Sequence, residues 1–204
     1  MIRTARDGAL WQAIIDRPDK ANSVTGAMLA ELADFAEAAQ GNAKVLVLSG
    51  TGKAFSAGAD LEAAKAGLAT DPVWERLSAA IARFDGLSIA ALNGTLAGGA
   101  FGMALACDLR IAVEGAKFFY PVMKLGFLPQ PSDPARLAAL VGPARAKLIL
   151  MGAAKLTTPE ALTFGLVDRI VARDDLDAAV AELSQAALGA APSHIAGIKA
   201  LTRG

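Results

Sequence analysis

Residues 44–62 read KVLVLSGTGKAFSAGADLE, and residues 88–102 read SIAALNGTLAGGAFG. Lys44–Ser49 holds an unbroken apolar run of strand length. Such a run suits a strand buried on both faces, since a strand with one wet face alternates apolar and polar positions. A loop of small residues follows, from Gly50 to Asp60. The second stretch repeats the design: a buried strand over Ser88–Asn93, a turn at Asn93-Gly94, then small residues leading into a buried helix over Gly98–Cys107. Both stretches therefore pass from a buried strand through small residues toward a helix.

Outward from these two stretches the alternation continues. Leu10–Asp16 fits a short strand, ended by Arg17-Pro18-Asp19 because proline cannot donate to a ladder. A helix is predicted from about Thr25, with Met28, Leu29, Leu32, Phe35 and Ala36 at helical spacing and a stop at Gly41-Asn42. Asp71-Pro72 opens another helix, whose apolar face is Val73, Trp74, Leu77, Ile81 and Phe84. Asp108–Val113 reads as strand. Asp133-Pro134 and Gly142-Pro143 read as helix starts. Thr158-Pro159-Glu160 opens a short helix that Gly165 closes in the left-handed conformation. Val167–Val171 returns as strand, and Leu176–Leu201 forms one or two amphipathic helices. Strands alternating with helices mean an α/β fold. The length predicts one domain over residues 1–204, with a core over about 1–172 and C-terminal helices over about 174–202.

Composition removes whole classes of function. Twenty basic residues balance twenty acidic ones, and the isoelectric point is near 6.6. With no block of positive charge, no nucleic-acid partner is expected. Cys107 is the only cysteine and His194 the only histidine. An internal disulfide is therefore impossible, and a Cys/His zinc site lacks its ligands. No metal is expected. The segment between Asp85 and Asp108 carries no charge, and a stretch that long could cross a bilayer. The Asn93-Gly94 turn and the Gly98-Gly99 break argue instead for a strand, a turn and a helix buried in a globule. Residues 1–10 lack the apolar segment of a signal peptide. The expected location is the cytoplasm.

The two small-residue turns carry the chemistry. Small side chains let a ligand approach the backbone, and the free N–H groups at the start of a helix favour negative charge. Two such N–H groups converging on one point can stabilise an oxyanion. A glycine pair before a helix is also an ordinary tight packing site, so spacing alone does not name a substrate.

The wording of these motifs goes further. Ala54-Phe55-Ser56-Ala57-Gly58-Ala59-Asp60-Leu61 resembles the signature oxyanion segment of the crotonase (enoyl-CoA hydratase/isomerase) family. Asn93-Gly94-Thr95-Leu96-Ala97-Gly98-Gly99-Ala100, with Ala106-Cys107-Asp108-Leu109-Arg110 behind it, is similar to the second signature. Thr157–Ala161 and Phe164–Asp168 also fit, in the family's order. The resemblance implies a spiral of ββα units closed by a short C-terminal helical segment, and a homotrimer or hexamer. It implies that the N–H groups of Ala57 and Gly99 hold the thioester oxygen of an acyl-CoA. Ala59, Asp60, Leu61, Gly98, Gly102 and Val122 would line the substrate and CoA side. No separate cofactor is implied, because coenzyme A arrives as part of the substrate.

The resemblance also exposes two departures. Hydratases of the family carry one glutamate three residues beyond the second oxyanion glycine and another after a proline; Gly102 and Val122 stand in those places. Water addition needs one proton taken and another delivered, and neither residue can move a proton. The polar residues left on that wall are Tyr120, Gln130 and Asp133. A phenol is a poor base near neutrality, and an amide orients rather than titrates. Asp133 precedes Pro134 and is expected to cap a helix. Asp108 and Arg110 read as structural, Glu62 as a surface helix residue and Lys124 as a solvated charge. Two readings remain. The first is an enzyme that stabilises a thioester enolate, with isomerase, hydrolase or lyase chemistry ahead of hydration. The second is a catalytically degenerate acyl-CoA binder or assembly protein of the same fold.

Overall fold

A computed structural model describes residues 1–202. The strands are β1 (Ile2–Asp7), β2 (Leu10–Ile15), β3 (Val45–Gly50), β4 (Ala54–Ser56), β5 (Leu87–Leu92), β6 (Thr95–Ala97), β7 (Leu109–Val113), β8 (Lys117–Phe119), β9 (Leu156–Thr157) and β10 (Arg169–Val171). The helices are α1 (Gly26–Ala39), α2 (Leu61–Lys65), α3 (Val73–Arg83), α4 (Phe101–Ala106), α5 (Val122–Leu125), α6 (Asp133–Val141), α7 (Pro143–Leu150), α8 (Thr158–Phe164), α9 (Leu176–Gly189) and α10 (Pro192–Thr202). A 3-10 turn over Gly98–Ala100 runs directly into α4.

Two sheets result. The larger has the order β1-β2-β3-β5-β7-β10 and the smaller the order β4-β6-β8-β9. β2, β3, β5, β7 and β10 run parallel, and only β1 pairs antiparallel in the larger sheet. The chain alternates between the sheets: β3 then β4, β5 then β6, β7 then β8. A helix follows each small-sheet strand. This is the α/β spiral of ββα units that the resemblance implied, with α9 and α10 behind it. The apolar runs of β3, β5 and β7 are buried on both faces, as their lack of alternation requires.

The structure adds strands that periodicity does not reveal. β1 reads IRTARD, and only Ile2 is buried. It exists through its six-residue register with β2. β4, β6 and β8 span three residues each and pair only with one another and β9. The loop read between β3 and the next helix therefore contains a strand.

Local chemistry explains the helix ends. Thr25 Oγ1 accepts from Met28 N–H at the start of α1. Thr157 and Glu160 form a reciprocal capping box at α8, and Gly165 ends that helix at φ +82. Asp71 Oδ1 accepts from Val73 N–H at 2.8 Å, which places Pro72 at the cap of α3 rather than inside it. The uncharged segment between Asp85 and Asp108 becomes β5, β6 and α4. Among the described residues no helix is long and apolar enough to cross a membrane. Arg110 is structural, as read. It is buried, donates to the carbonyls of Cys107, Asp108 and Leu166, and pairs with Asp168 at 3.0 Å. It thereby ties α4, β7 and the approach to β10 together.

Candidate active site

The ends of β3 and β5 are tied to the first turn by two asparagines. Asn22 is fully buried; its Nδ2 donates to the carbonyls of Thr51 and Ala54 at 2.8 and 2.7 Å. Asn93 Nδ2 donates to the carbonyls of Gly52 and Ala54, and its Oδ1 accepts from Gly50 N–H. Ser56 Oγ donates to the Asn22 carbonyl at 2.8 Å and accepts from Gly58 N–H at 3.1 Å. Asp60 then caps α2 through Glu62 N–H and Ala63 N–H while pairing with Arg17 at 2.8 Å. The guanidinium of Arg17 holds the Asp60 carboxyl below the usual carboxylate range. Ser56, Asn93 and Asp60 sit inside the quoted motifs, whereas Asn22 does not stand out in the sequence, because its partners Thr51 and Ala54 lie far along the chain.

Held this way, the first turn presses on the second. Gly58 sits at φ +94, and a β-carbon there would lie 3.0 Å from the Ala97 carbonyl oxygen and 3.3 Å from the Gly99 nitrogen. Only glycine fits, both for its conformation and for the approach. The two turns share one wall of a cleft of about 330 Å³. Ala57, Ala59, Leu61, Gly98, Gly99, Tyr120, Val122 and Gln130 all line it, joined by Trp74 and by Leu125, Phe127 and Leu128 from around α5. Asp60, Gly102 and Asp133 are not on its wall. Gly102 thus departs from its expected place on the substrate side; its Cα faces Asp133 instead.

The amides correct one expectation. Ala57 N–H donates to the Ala21 carbonyl at 3.0 Å, so it is spent within the fold. The isolated bridge between Val24 and Ala59 turns the chain so that Gly58 C=O accepts from Val24 N–H and Asp60 N–H donates to Val24 C=O. Ala59 N–H, between them, has no acceptor among the described residues. Gly99 N–H has none either. Ala59 and Gly99 N–H are therefore both open on this wall; Gly99 stands as expected, and Ala59 lies two residues beyond Ala57. The displacement has a simple cause: Ala57 N–H and Asp60 N–H donate to the Ala21–Val24 segment and Gly58 N–H donates to Ser56 Oγ, which leaves the Ala59 N–H unused.

Trp74 packs flat against this point. A β-carbon on Gly99 would stand 3.1 to 3.3 Å from its ring. Its Nε1 donates to the Leu68 carbonyl at 2.8 Å, which fixes the indole. In the sequence Trp74 is one member of the apolar face of a helix, with nothing to mark it as a cleft residue.

Asp133 overturns the capping expectation. It is the first residue of α6, and its side chain caps nothing; the cap position is Ser132. Ser132 is held by Glu75, which accepts from its N–H at 3.0 Å and from its Oγ at 2.6 Å. That clamp rotates Asp133 inward, where it is fully buried. The Tyr120 hydroxyl donates to Oδ2 at 2.9 Å, while Oδ1 has no hydrogen-bond partner among the described residues. Burial pushes the Asp133 carboxyl up to about 7, with Glu75 adding to the rise and Tyr120 and Arg136 opposing it. Tyr120 is driven further above its ordinary range, first by burial and then by the neighbouring Asp133. Gln130 belongs to the same cluster: its N–H donates to the Tyr120 oxygen at 3.3 Å, and its side-chain amide donates to the Ala69 carbonyl. Glu62, Lys124 and His194 are exposed, and none of them joins this cluster.

A sequence profile described as enoyl-CoA hydratase/isomerase matches residues 6–203. The chain belongs to that family. Carnitinyl-CoA dehydratase from Salmonella typhi is 34% identical over 211 residues, covering 99% of this chain and 80% of that protein. The solved enoyl-CoA hydratase/carnithine racemase from Magnetospirillum magneticum superposes with a TM-score of 0.90 at 30% identity, covering 98% of this chain and 79% of that one. A structure from Thermobifida fusca YX, described as an enoyl-CoA hydratase in complex with CoA, superposes with a TM-score of 0.88 at 30% identity and covers 98% of this chain and 83% of that one. In this chain a carboxyl arrives from α6 behind a glycine on α4.

Proposed function

We propose that the cleft binds an acyl-CoA thioester and stabilises its enolate. The thioester oxygen sits between the N–H groups of Ala59 and Gly99, and the acyl chain runs over Trp74, Val122 and Phe127. Coenzyme A enters as part of the substrate and no further cofactor is required. The observation that carries this reading is the pair of unpartnered amides on two turns that touch through Gly58. An amide left without an acceptor on a cleft wall is a donor in waiting for an oxyanion, and losing one such donor typically costs about 2.7–4 kcal/mol in the transition state.

The two missing carboxyls guide the choice of reaction class. Hydration requires two proton-handling groups near the reacting carbons, and Gly102 and Val122 supply none. One carboxyl, Asp133, lies in contact with a cleft residue. A single group that takes a proton from one carbon and returns it to another suffices for isomerisation, so we place isomerase, hydrolase or lyase chemistry ahead of hydration. A non-catalytic acyl-CoA binder is the second reading, favoured by the same two empty positions. The exposed Leu61, Leu125 and Leu128 around the cleft mouth suit burial in a homotrimer or hexamer.

The test is a titration with a β-ketoacyl-CoA, whose enolate absorbs in the near ultraviolet. Binding that raises the enolate band supports the hole. A thioether analogue without the carbonyl should bind more weakly. Failure of CoA esters to bind, or binding with no gain in enolate, refutes the reading. Incubation with 2-enoyl-, 3-enoyl- and hydroxyacyl-CoA esters, followed by mass spectrometry, then separates enzyme from binder.

A further inference from the structure

A buried carboxylate oxygen with no donor is costly, and Asp133 Oδ1 is one. Few charged or titratable groups face this carboxyl. They are Tyr120 after β8, Glu75 on α3 and Arg136 farther along α6. Glu75 is committed to Ser132, and Arg136 donates to Ser78 Oγ at 2.9 Å. The one direct partner is the Tyr120 hydroxyl, which receives a further hydrogen bond from Gln130 N–H and belongs to a residue on the cleft wall. The Tyr120 ring is stacked on Phe101 with centroids 5.3 Å apart, so the hydroxyl is held rather than swinging. On the opposite side of the carboxyl, a β-carbon on Gly102 would lie 2.8 Å from Oδ1.

We propose that Asp133 is a positioning and proton-holding residue that acts through the hydroxyl of Tyr120, and that residue 102 is glycine because the Asp133 carboxyl occupies its side-chain space. The inference rests on the acyl-CoA reading of the cleft. In the proton-abstraction step, a C–H bond next to the thioester carbonyl breaks. Its electron pair moves onto the carbonyl oxygen, held by the Ala59 and Gly99 amides. The proton forms a new O–H bond to the Tyr120 oxygen as the phenol's own proton passes to Asp133 Oδ2. Reversal returns one proton, to the same carbon or, where the enolate is conjugated to a double bond, to the far end of that system. No other reactant enters. The carboxyl must begin ionised, and burial pushes it up to about 7.

The experiment uses the full chain in D2O buffer with 3-hexenoyl-CoA. Deuterium uptake is read by mass spectrometry and ester binding by calorimetry. The wild type should take up deuterium at a rate that rises with pH through about 7. Asp133→Asn should keep its affinity for the ester and lose uptake by roughly 100-fold or more, the span of a lost general base. Tyr120→Phe, which keeps the ring on Phe101, should lose uptake to a similar degree. A merely structural Asp133 would leave the pH profile of the remaining activity in place. Uptake by Asp133→Asn within about tenfold of wild type, or a wild-type rate flat across neutral pH, overturns the proposal. Wild-type protein that binds the ester without exchanging any hydrogen also overturns it, while leaving the acyl-CoA cleft intact. Absence of binding removes both.

Discussion

The carboxyl of Asp133 lies so close to Gly102 that a β-carbon on that glycine would stand 2.8 Å from Oδ1, 3.3 Å from Oδ2 and 3.4 Å from Cγ. Residues from α4 and α6 therefore compete for one volume, and in this chain α6 holds it. The relationship links two features that look unrelated in the sequence: a glycine inside a buried helix and an aspartate before a proline.

The first consequence is steric. Gly102→Ala should destabilise the fold by about 1–3 kcal/mol, the usual cost of overpacking. This outweighs the gain of about 1 kcal/mol that alanine brings to a helix interior. In an Asp133→Ala background the same substitution should become neutral or stabilising. Urea unfolding of the four proteins in the cycle measures the coupling. Equal costs in both backgrounds would show that the two residues do not share the space.

Stability should also depend on pH through Asp133. An ordinary aspartate titrates at 3.8, whereas this one is pushed up to about 7. Between those values the folded protein holds a proton that the unfolded chain has released, so wild-type stability falls as pH rises through the window. The integrated effect is on the order of 4 kcal/mol. Asp133→Asn removes it. Denaturant titrations in steps across the window should show the variant gaining on the wild type as pH rises, and parallel curves would refute the shift.

Ion pairs in this fold should divide sharply by burial. Arg110 is buried with five hydrogen-bonded contacts through its side chain and backbone. Arg110→Ala keeps the backbone N–H bond but strands the acceptors of the four side-chain bonds, and should cost about 3–5 kcal/mol. The exposed Arg169–Glu182 pair should cost no more than about 1 kcal/mol when Glu182 is replaced by alanine. Thermal and denaturant unfolding of the two variants gives the comparison directly.

Cys107 should be inert in the native protein. Its thiol donates to the Met103 carbonyl, and burial pushes it up to about 12. Alkylating reagents at mildly alkaline pH should label it only on unfolding, since the thiolate is the reactive species. Rapid labelling of folded protein would mean that the floor under α4 opens.

Much of the architecture was legible in the chain. Val45–Leu48 and Ile89–Leu92 announce strands covered on both faces because apolar side chains occur at every position. Thr157, Glu160 and Gly165 mark both ends of α8 because capping is local chemistry. The two small-residue turns announce close backbone approach for the same reason. By contrast, β1 is a strand through its partner β2, since Arg3, Thr4, Ala5, Arg6 and Asp7 are all exposed and show no buried face. The three-residue strands of the second sheet are equally dependent on one another.

What the sequence by itself determined is the α/β alternation, the strands buried on both faces and the two small-residue turns, which follow from side-chain size, apolar patterning and local hydrogen bonding, and the family, which follows from the wording of the motifs. Tertiary structure decided which amide is free and which way the Asp133 carboxyl points. Ala57 loses its N–H to Ala21, leaving Ala59 open, and Asp133 faces Tyr120 and Gly102 instead of its own helix. The direction of an N–H or a carboxyl depends on partners brought close only by folding, and no local pattern records them.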